Sequence, residues 1–333
     1  MNHVNMRLRG AKIPYTHGLP DHLVNSLVWN GQQGVQIFFA VSGFLITTTA
    51  LRRWGAGIDI PGFYRLRFAR IAPLLLLLLA ILTTLDLTHV NNFVINPKVA
   101  TLPRALTAAL TFHINVLEAT RGYLPANWDI LWSLSVEEVF YLVFPLVRRF
   151  TKLFIGLLIA CVILGPISRT HGNEIWREYS YLGGMDAIAL GCLTALLVHR
   201  FQFPPKILIA LGTPPMLFTL CYYRSIGPAM TILAIGTCLI IAASAQTQWT
   251  APRILRPLTN LGQRSYEVYL THMFVVFAFF QLFLSLGKQM KLVPVLFLTT
   301  IFVSALLGEL VARLYSEPLN RFIRGGSVKI TRT

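Results

Sequence analysis

NWDILWSLSVEEVFYLVFP, residues 127–145, decides what kind of chain this is. The stretch is apolar and aromatic enough to span a membrane, yet an acidic pair, Glu137 and Glu138, sits about two helical turns inside it. A charge inside a bilayer costs on the order of 3 kcal/mol, so a carboxylate at such a position points to function before stability. Helical spacing puts Ser133, Glu137 and Tyr141 on one face with Phe144 beside them, while Glu138 faces elsewhere. The plainer reading is a side chain that snorkels to the headgroups. Against it, Glu137 is followed by a further apolar turn and a half on each face.

Composition extends the membrane reading to the whole chain. Of its 333 residues, 55% are hydrophobic and 13% charged, and the mean hydropathy is +0.61. Soluble domains carry about 25% charged residues, so an ordinary soluble enzyme is excluded. The net charge of +16 suggests nucleic acid, but the basic residues fall between apolar runs, which points to membrane lipids as surroundings and to no nucleic-acid partner. Runs of spanning length lie at residues 34–51, 71–87, 130–147, 153–168, 181–198, 207–222, 228–245, 265–286 and 292–314. A tenth, 105–116, is too short to cross. With nine spans, the Lys/Arg clusters at 52–70, 148–152, 200–206, 253–264 and 313–332 share one side, Lys329 and Arg332 among them. By the positive-inside rule that side, with the C-terminus, is cytoplasmic. The expected fold is therefore all-α, a polytopic transmembrane bundle of about nine to ten spans. It forms one domain over 1–333, with a polar outer segment (1–33), the bundle (34–324) and a cytoplasmic tail (325–333). Cys161, Cys192, Cys221 and Cys238 lie singly in apolar runs without metal-ligand spacing, so neither metal nor disulfide is assigned.

Three further stretches carry chemistry-bearing residues. In GVQIFFAVSGFLIT (34–47), Ser42 and Gly43 interrupt an apolar run at mid-span, where small residues allow close helix packing or make room for a ligand. In RLRFARIAP (65–73), Arg67 and Arg70 project from one face at the entrance of a span and can close together on a phosphate. In LGQRSYEVYLTH (261–272), Ser265, Tyr269 and His272 form a polar stripe inside an apolar helix.

Together, GVQIFFAVSGFLIT, the RxxR of RLRFARIAP and WSLSVEEVFYLVFP resemble the integral-membrane acyltransferase-3 family. GMDAIALGCLTALL (184–197), LGQRSYEVYLTH and YSEPL (315–319) are similar to its later helices, so the resemblance covers nearly all of the chain from Gly34 onward. It implies a bundle of about ten helices that takes an acetyl or other short acyl group from acyl-CoA and delivers it to a hydroxyl. The implied acceptor is a glycan or lipid-linked sugar, the setting a multi-pass protein of a bacterial inner membrane, and acyl-CoA is a substrate, with no bound cofactor. Arg67 and Arg70 match the RxxR and suit the CoA phosphates. Glu137 matches the WSLxxE glutamate, in a role orienting or compensating a histidine. The family's histidine base falls at His3, but the arginine that precedes it in the family would lie before Met1. Ser42, Tyr269 and His272 would line the substrate site.

Because GVQIFFAVSGFL is similar to the family's second helix, the resemblance implies that the family's first helix is missing from this chain. His3, two residues from a free terminus, has nothing to hold it. The expectation is a longer protein in which Met1 is internal; an N-terminally truncated, inactive homologue is the other possibility. A transporter or flippase stays open as a different class, since a many-span bundle with buried His, Glu and Ser also suits a proton-coupled carrier. No inverted repeat supports it.

Overall fold

Lipid offers no partner to a peptide group, so an apolar run crosses a bilayer only by closing its own hydrogen bonds, and here the runs fold as helix. The computed structural model describes residues 1–29, 31–55, 57–222, 227–247 and 252–325. The expected tail from residue 326 onward, with Lys329 and Arg332, lies outside the described residues. In chain order the helices are α1 (Asn2–Gly10), α2 (Asp21–Val28), α3 (Gly31–Trp54), α4 (Ile60–Leu87), α5 (Leu102–Leu110), α6 (Ile114–Arg121), α7 (Ala126–Asp129), α8 (Leu131–Arg148) and α9 (Thr151–Ser168). There follow α10 (Glu174–Tyr179), α11 (Tyr181–Arg200), α12 (Pro205–Tyr222), α13 (Pro228–Gln246), α14 (Arg256–Gln263), α15 (Ser265–Ser285), α16 (Val293–Val311) and α17 (Glu317–Ile323). There is no strand among the described residues, and the fold is all-α.

Eight helical segments among the described residues are long and apolar enough to cross a membrane. The ninth expected span, 207–222, is α12. It is an 18-residue helix in which Lys206, Pro214 and Pro215 dilute the apolar content, and it stands outside the eight. The short run at 105–116 breaks at Phe112, which adopts φ +56° between α5 and α6, and neither helix is long enough to cross.

The helices group into two units. The first comprises residues 1–9, 16–58 and 95–250. At its centre α3 and α11 cross with their backbones in contact. A Cβ on Gly43 would lie 1.9 Å from the carbonyl oxygen of Ile188, and one on Gly191 would lie 2.0 Å from that of Ala40. Only glycine permits this approach, the small-residue packing expected of membrane helices. The thiol of Cys192 bonds the Gly43 carbonyl at the same crossing (3.4 Å). Gly212 and Gly236 bring α12 and α13 together in the same way.

The N-terminal segment corrects the expectation that nothing holds His3. Residues 2–10 are helical, with Val4, Asn5 and Leu8 buried. The Asn5 amide donates to the carbonyl of Val28 (3.2 Å), and the Arg9 guanidinium lies 4.7 Å from the centre of the Trp29 ring. Low hydrophobicity hides such a helix in the sequence, but a few buried contacts suffice to dock it.

The second unit comprises residues 10–15, 59–94 and 251–333. Asp59 caps α4, its carboxylate accepting from the Gly62 N–H (3.1 Å), which satisfies one of the orphan donors of the first turn. Near the start of α15, the Tyr266 hydroxyl donates to the carbonyl of Ile71 (2.8 Å). Phe93, just past the end of α4, stacks on Phe274 (5.8 Å between ring centres). Helices α4 and α15 therefore run the same way. Gly308 meets Val268, so α16 returns antiparallel to α15. A single π-turn, Ala312–Ser316, then leads into α17.

Candidate functional site

In the first unit, Glu137 is buried on α8 and held by two hydroxyls. Tyr141, one turn further along, donates to Glu137 Oε1 (2.8 Å). Ser42 on α3 donates to the same oxygen and also bonds the Tyr141 hydroxyl. Among the described residues, these two hydroxyls are its hydrogen-bond partners, and no histidine is. Glu138 is equally buried, 7% exposed against 7%, so burial does not separate the two acids; the Ser42–Tyr141 triangle does. Ser133, on the same face, turns its hydroxyl to the carbonyl of Ile130 (3.4 Å).

Ser42 reaches Glu137 because α3 is pinned by a network that sequence reasoning missed. Arg169, at the end of α9, pairs with Asp186 on α11 at 2.5 Å, and both are buried, at 2% and 0% exposure. Asp186 also accepts from the Gln36 amide on α3 (2.9 Å) and from Thr231 on α13 (2.7 Å). Arg169 donates in turn to Thr231 (2.9 Å) and to the carbonyl of Gly183 (3.0 Å from Nε). Every charge is answered, so the pair survives where an isolated one would not. The available signal was Asp186 itself, a lone carboxylate inside the apolar GMDAIALGCLTALL.

His3 lies at the other end of α3. Its neighbour Asn2 packs against Gly31, whereas Ser42 is eleven residues further along, about 16 Å of helix. A second acidic group was also not anticipated. Glu118 on α6 is fully buried, its Oε1 accepting from the Leu124 N–H (3.0 Å). Burial, and next the nearby Asp129, push its carboxyl well above the usual range, with the Leu124 bond opposing them. Asp129 accepts from the Tyr179 hydroxyl (2.9 Å), and the Tyr179 ring stacks on Trp132 at 4.2 Å.

In the second unit, Arg67 and Arg70 lie on α4, Arg67 half-buried and Arg70 exposed. Glu267 on α15 is close enough to Arg70 and Arg264 to feel both charges. His272 and Tyr269 come together on α15, their rings 5.8 Å apart, and His272 Nδ1 bonds the carbonyl of Tyr269 (2.6 Å). A carbonyl only accepts, so Nδ1 carries the proton and Nε2 is the basic nitrogen of the neutral ring. Arg264 is held by Glu309 (3.1 Å) and by Glu317.

The sequence model of the acyltransferase-3 family, an acyltransferase domain, matches residues 3–313. The O-acetyltransferase OatA of Staphylococcus aureus (strain NCTC 8325 / PS 47) is 25% identical over 90% of this chain and 54% of its own length. A putative O-acetyltransferase of Staphylococcus aureus (strain COL), SACOL0978, is 25% identical over 77% of this chain and 48% of its own. The chain spans about half the length of the curated relatives it matches. No solved structure matches it.

Proposed function

Because the chain belongs to the acyltransferase-3 family, we propose that it is a membrane O-acyltransferase that moves an acyl group from acyl-CoA to a hydroxyl of a glycan or lipid-linked sugar. The O-acetyltransferase names of its relatives favour acetyl. The observation that carries the reading is the buried Glu137 with its two hydroxyl partners, Ser42 and Tyr141.

Transfer from a thioester to a hydroxyl needs a base for the hydroxyl proton, donors for the oxyanion, and a hold on the CoA phosphates. In this reading His3 takes the proton as the acceptor oxygen attacks the thioester carbon. The tetrahedral oxyanion collapses, the carbon–sulfur bond breaks, and the same proton goes to the departing CoA thiolate. Glu137 keeps the Ser42 and Tyr141 hydroxyls oriented. Arg67 and Arg70 bind phosphate through planar, charge-assisted contacts, and Tyr269 and His272 line the donor side. The setting is a bacterial inner membrane. With α12 counted beside the eight spanning segments, the Lys/Arg distribution favours a cytoplasmic C-terminus.

The test is purified full-length protein in lipid nanodiscs, given acyl-CoA labelled in the acyl group. Label appearing on a glycan or lipid-linked sugar, with an equal release of CoA, is the expected result. Energy-dependent uptake of a solute without CoA release would replace this reading with a carrier.

A further inference from the structure

The last helix of the second unit brings more to the arginine pair than either motif announces. The Tyr315 hydroxyl donates to the carbonyl of Pro73 on α4 (3.2 Å), and from that point α17 packs along α4. Since α4 runs with α15 and α16 runs against both, α17 continues past the start of α15 alongside residues 60–70 of α4, in the opposite direction. That fixes the register. Nine residues separate Tyr315 from Arg324, about 13 Å of helix at the usual rise, and the same nine separate Pro73 from Tyr64. Arg324 therefore arrives level with the turn that holds Tyr64 and Arg67. Asn320 falls level with Phe68, between Arg67 and Arg70.

Two observations make this junction more than a packed helix end. The Asn320 Oδ1 is buried with no hydrogen-bond donor, a state that costs about 1–3 kcal/mol unless a ligand supplies one. Around it, Glu309 and Glu317 are engaged by Arg264, Arg313 and Arg321, and Glu267 feels the Arg70 charge.

We propose that Arg324 and Asn320 on α17 complete the acyl-CoA site that Arg67 and Arg70 begin on α4. CoA ends in an adenosine with phosphate on both its 3′ and 5′ sides. The α4 pair takes the 5′ diphosphate, Arg324 takes the 3′ phosphate, and Asn320 Oδ1 accepts from the adenine amino group. The assignment rests on acyl-CoA being the donor.

The experiment compares binding of CoA and 3′-dephospho-CoA to the full-length protein in nanodiscs by titration calorimetry. Wild type is expected to favour CoA by at least about ten-fold, the lower end of a charged hydrogen bond. Arg324→Gln should erase that preference while leaving dephospho-CoA affinity within about two-fold. Asn320→Ala should weaken both ligands alike. Arg321→Ala, which removes the same charge from an exposed residue (72% exposed), should change neither. An Arg324→Gln protein that keeps the wild-type preference, or a wild type that binds both ligands equally, overturns the assignment. Should Arg324→Gln fail to fold, Arg324→Lys reads the same preference, and a wild-type value there counts against it. A wild type that binds neither ligand contradicts acyl-CoA as donor, which is a separate failure.

Discussion

Tyr141 donates a 2.8 Å hydrogen bond to Glu137 one turn back on the same helix, and Ser42, from a different helix, closes on both. The carboxylate is thereby fixed by one contact that any helix of this sequence would make and one that only the folded unit supplies. The two contacts carry different consequences. Tyr141→Phe and Ser42→Ala should each slow transfer by roughly ten- to a hundred-fold, the worth of a hydrogen bond to a charged group. Only Ser42→Ala should leave the intrahelical bond intact. Measured acyl-transfer rates on folded variants check this, and unchanged rates in both would remove the hydroxyls from the chemistry.

The α3–α11 crossing should tolerate no side chain. Gly43→Ala places a methyl 1.9 Å from a backbone oxygen that cannot swing away, so the helices must separate. A loss of about 1–3 kcal/mol is expected, as for other overpacked interiors, together with lost transfer because Ser42 moves away from Glu137. Gly34→Ala on the same helix, where nothing lies within 4 Å, should do neither. Thermal unfolding in detergent, run beside the transfer assay, separates the two.

Removing one partner of the buried Arg169–Asp186 pair should cost about 3–5 kcal/mol, because the other charge is left in an apolar interior. Asp186→Ala is therefore expected to lower the unfolding midpoint sharply. Asp186→Ala combined with Arg169→Met should recover much of the loss. A double variant no better than the single would mean that the hydrogen bonds to Gln36 and Thr231 matter more than the charge.

At the donor end, Arg67→Ala and Arg70→Ala should each weaken acyl-CoA binding by about 1.5–3 kcal/mol, with Lys rescuing only in part for want of the planar fork. Normal binding in both Ala variants would reduce the pair to topology anchors.

Glu118 gives a pH dependence of stability. Its folded pKa is raised above the ordinary 4.5, by burial first and by Asp129 second. Folding then favours the protonated form. Its stability contribution is complete below about pH 4.5 and is lost as pH climbs through the raised value. The unfolding midpoint in detergent should fall on this rise, and Glu118→Gln, which cannot ionise, should flatten the slope. An equal slope in that variant would assign the effect to another group.

Much of this was legible because membrane sequences write their exceptions plainly. Glu137 stood out as a carboxylate in an apolar run, and its Tyr141 partner followed from helical spacing alone. Ser42 was visible only as a small residue at mid-span, since its bond to Glu137 depends on how α3 meets α8. Asp186 lies within GMDAIALGCLTALL, but its role is not legible there, because its partners Arg169, Gln36 and Thr231 come from three other helices and no local period links them. The docked α1 was not legible for the opposite reason: a short polar helix leaves no apolar run, and two or three buried side chains hold it. The ninth span was legible as an apolar run, but Pro214 and Pro215 leave it marginal among the spanning helices.

The most direct test is acceptor-dependent CoA release from acyl-CoA by the full-length protein in nanodiscs, measured side by side for wild type, Glu137→Gln and Glu138→Gln. With all three folded, Glu137→Gln should release CoA at no more than about a hundredth of the wild-type rate, a loss of the size that misplaced acid–base groups produce, and Glu138→Gln should stay within a few-fold of wild type. Equal loss in both variants, or near wild-type release from Glu137→Gln, would contradict the role given to the Ser42–Glu137–Tyr141 triangle.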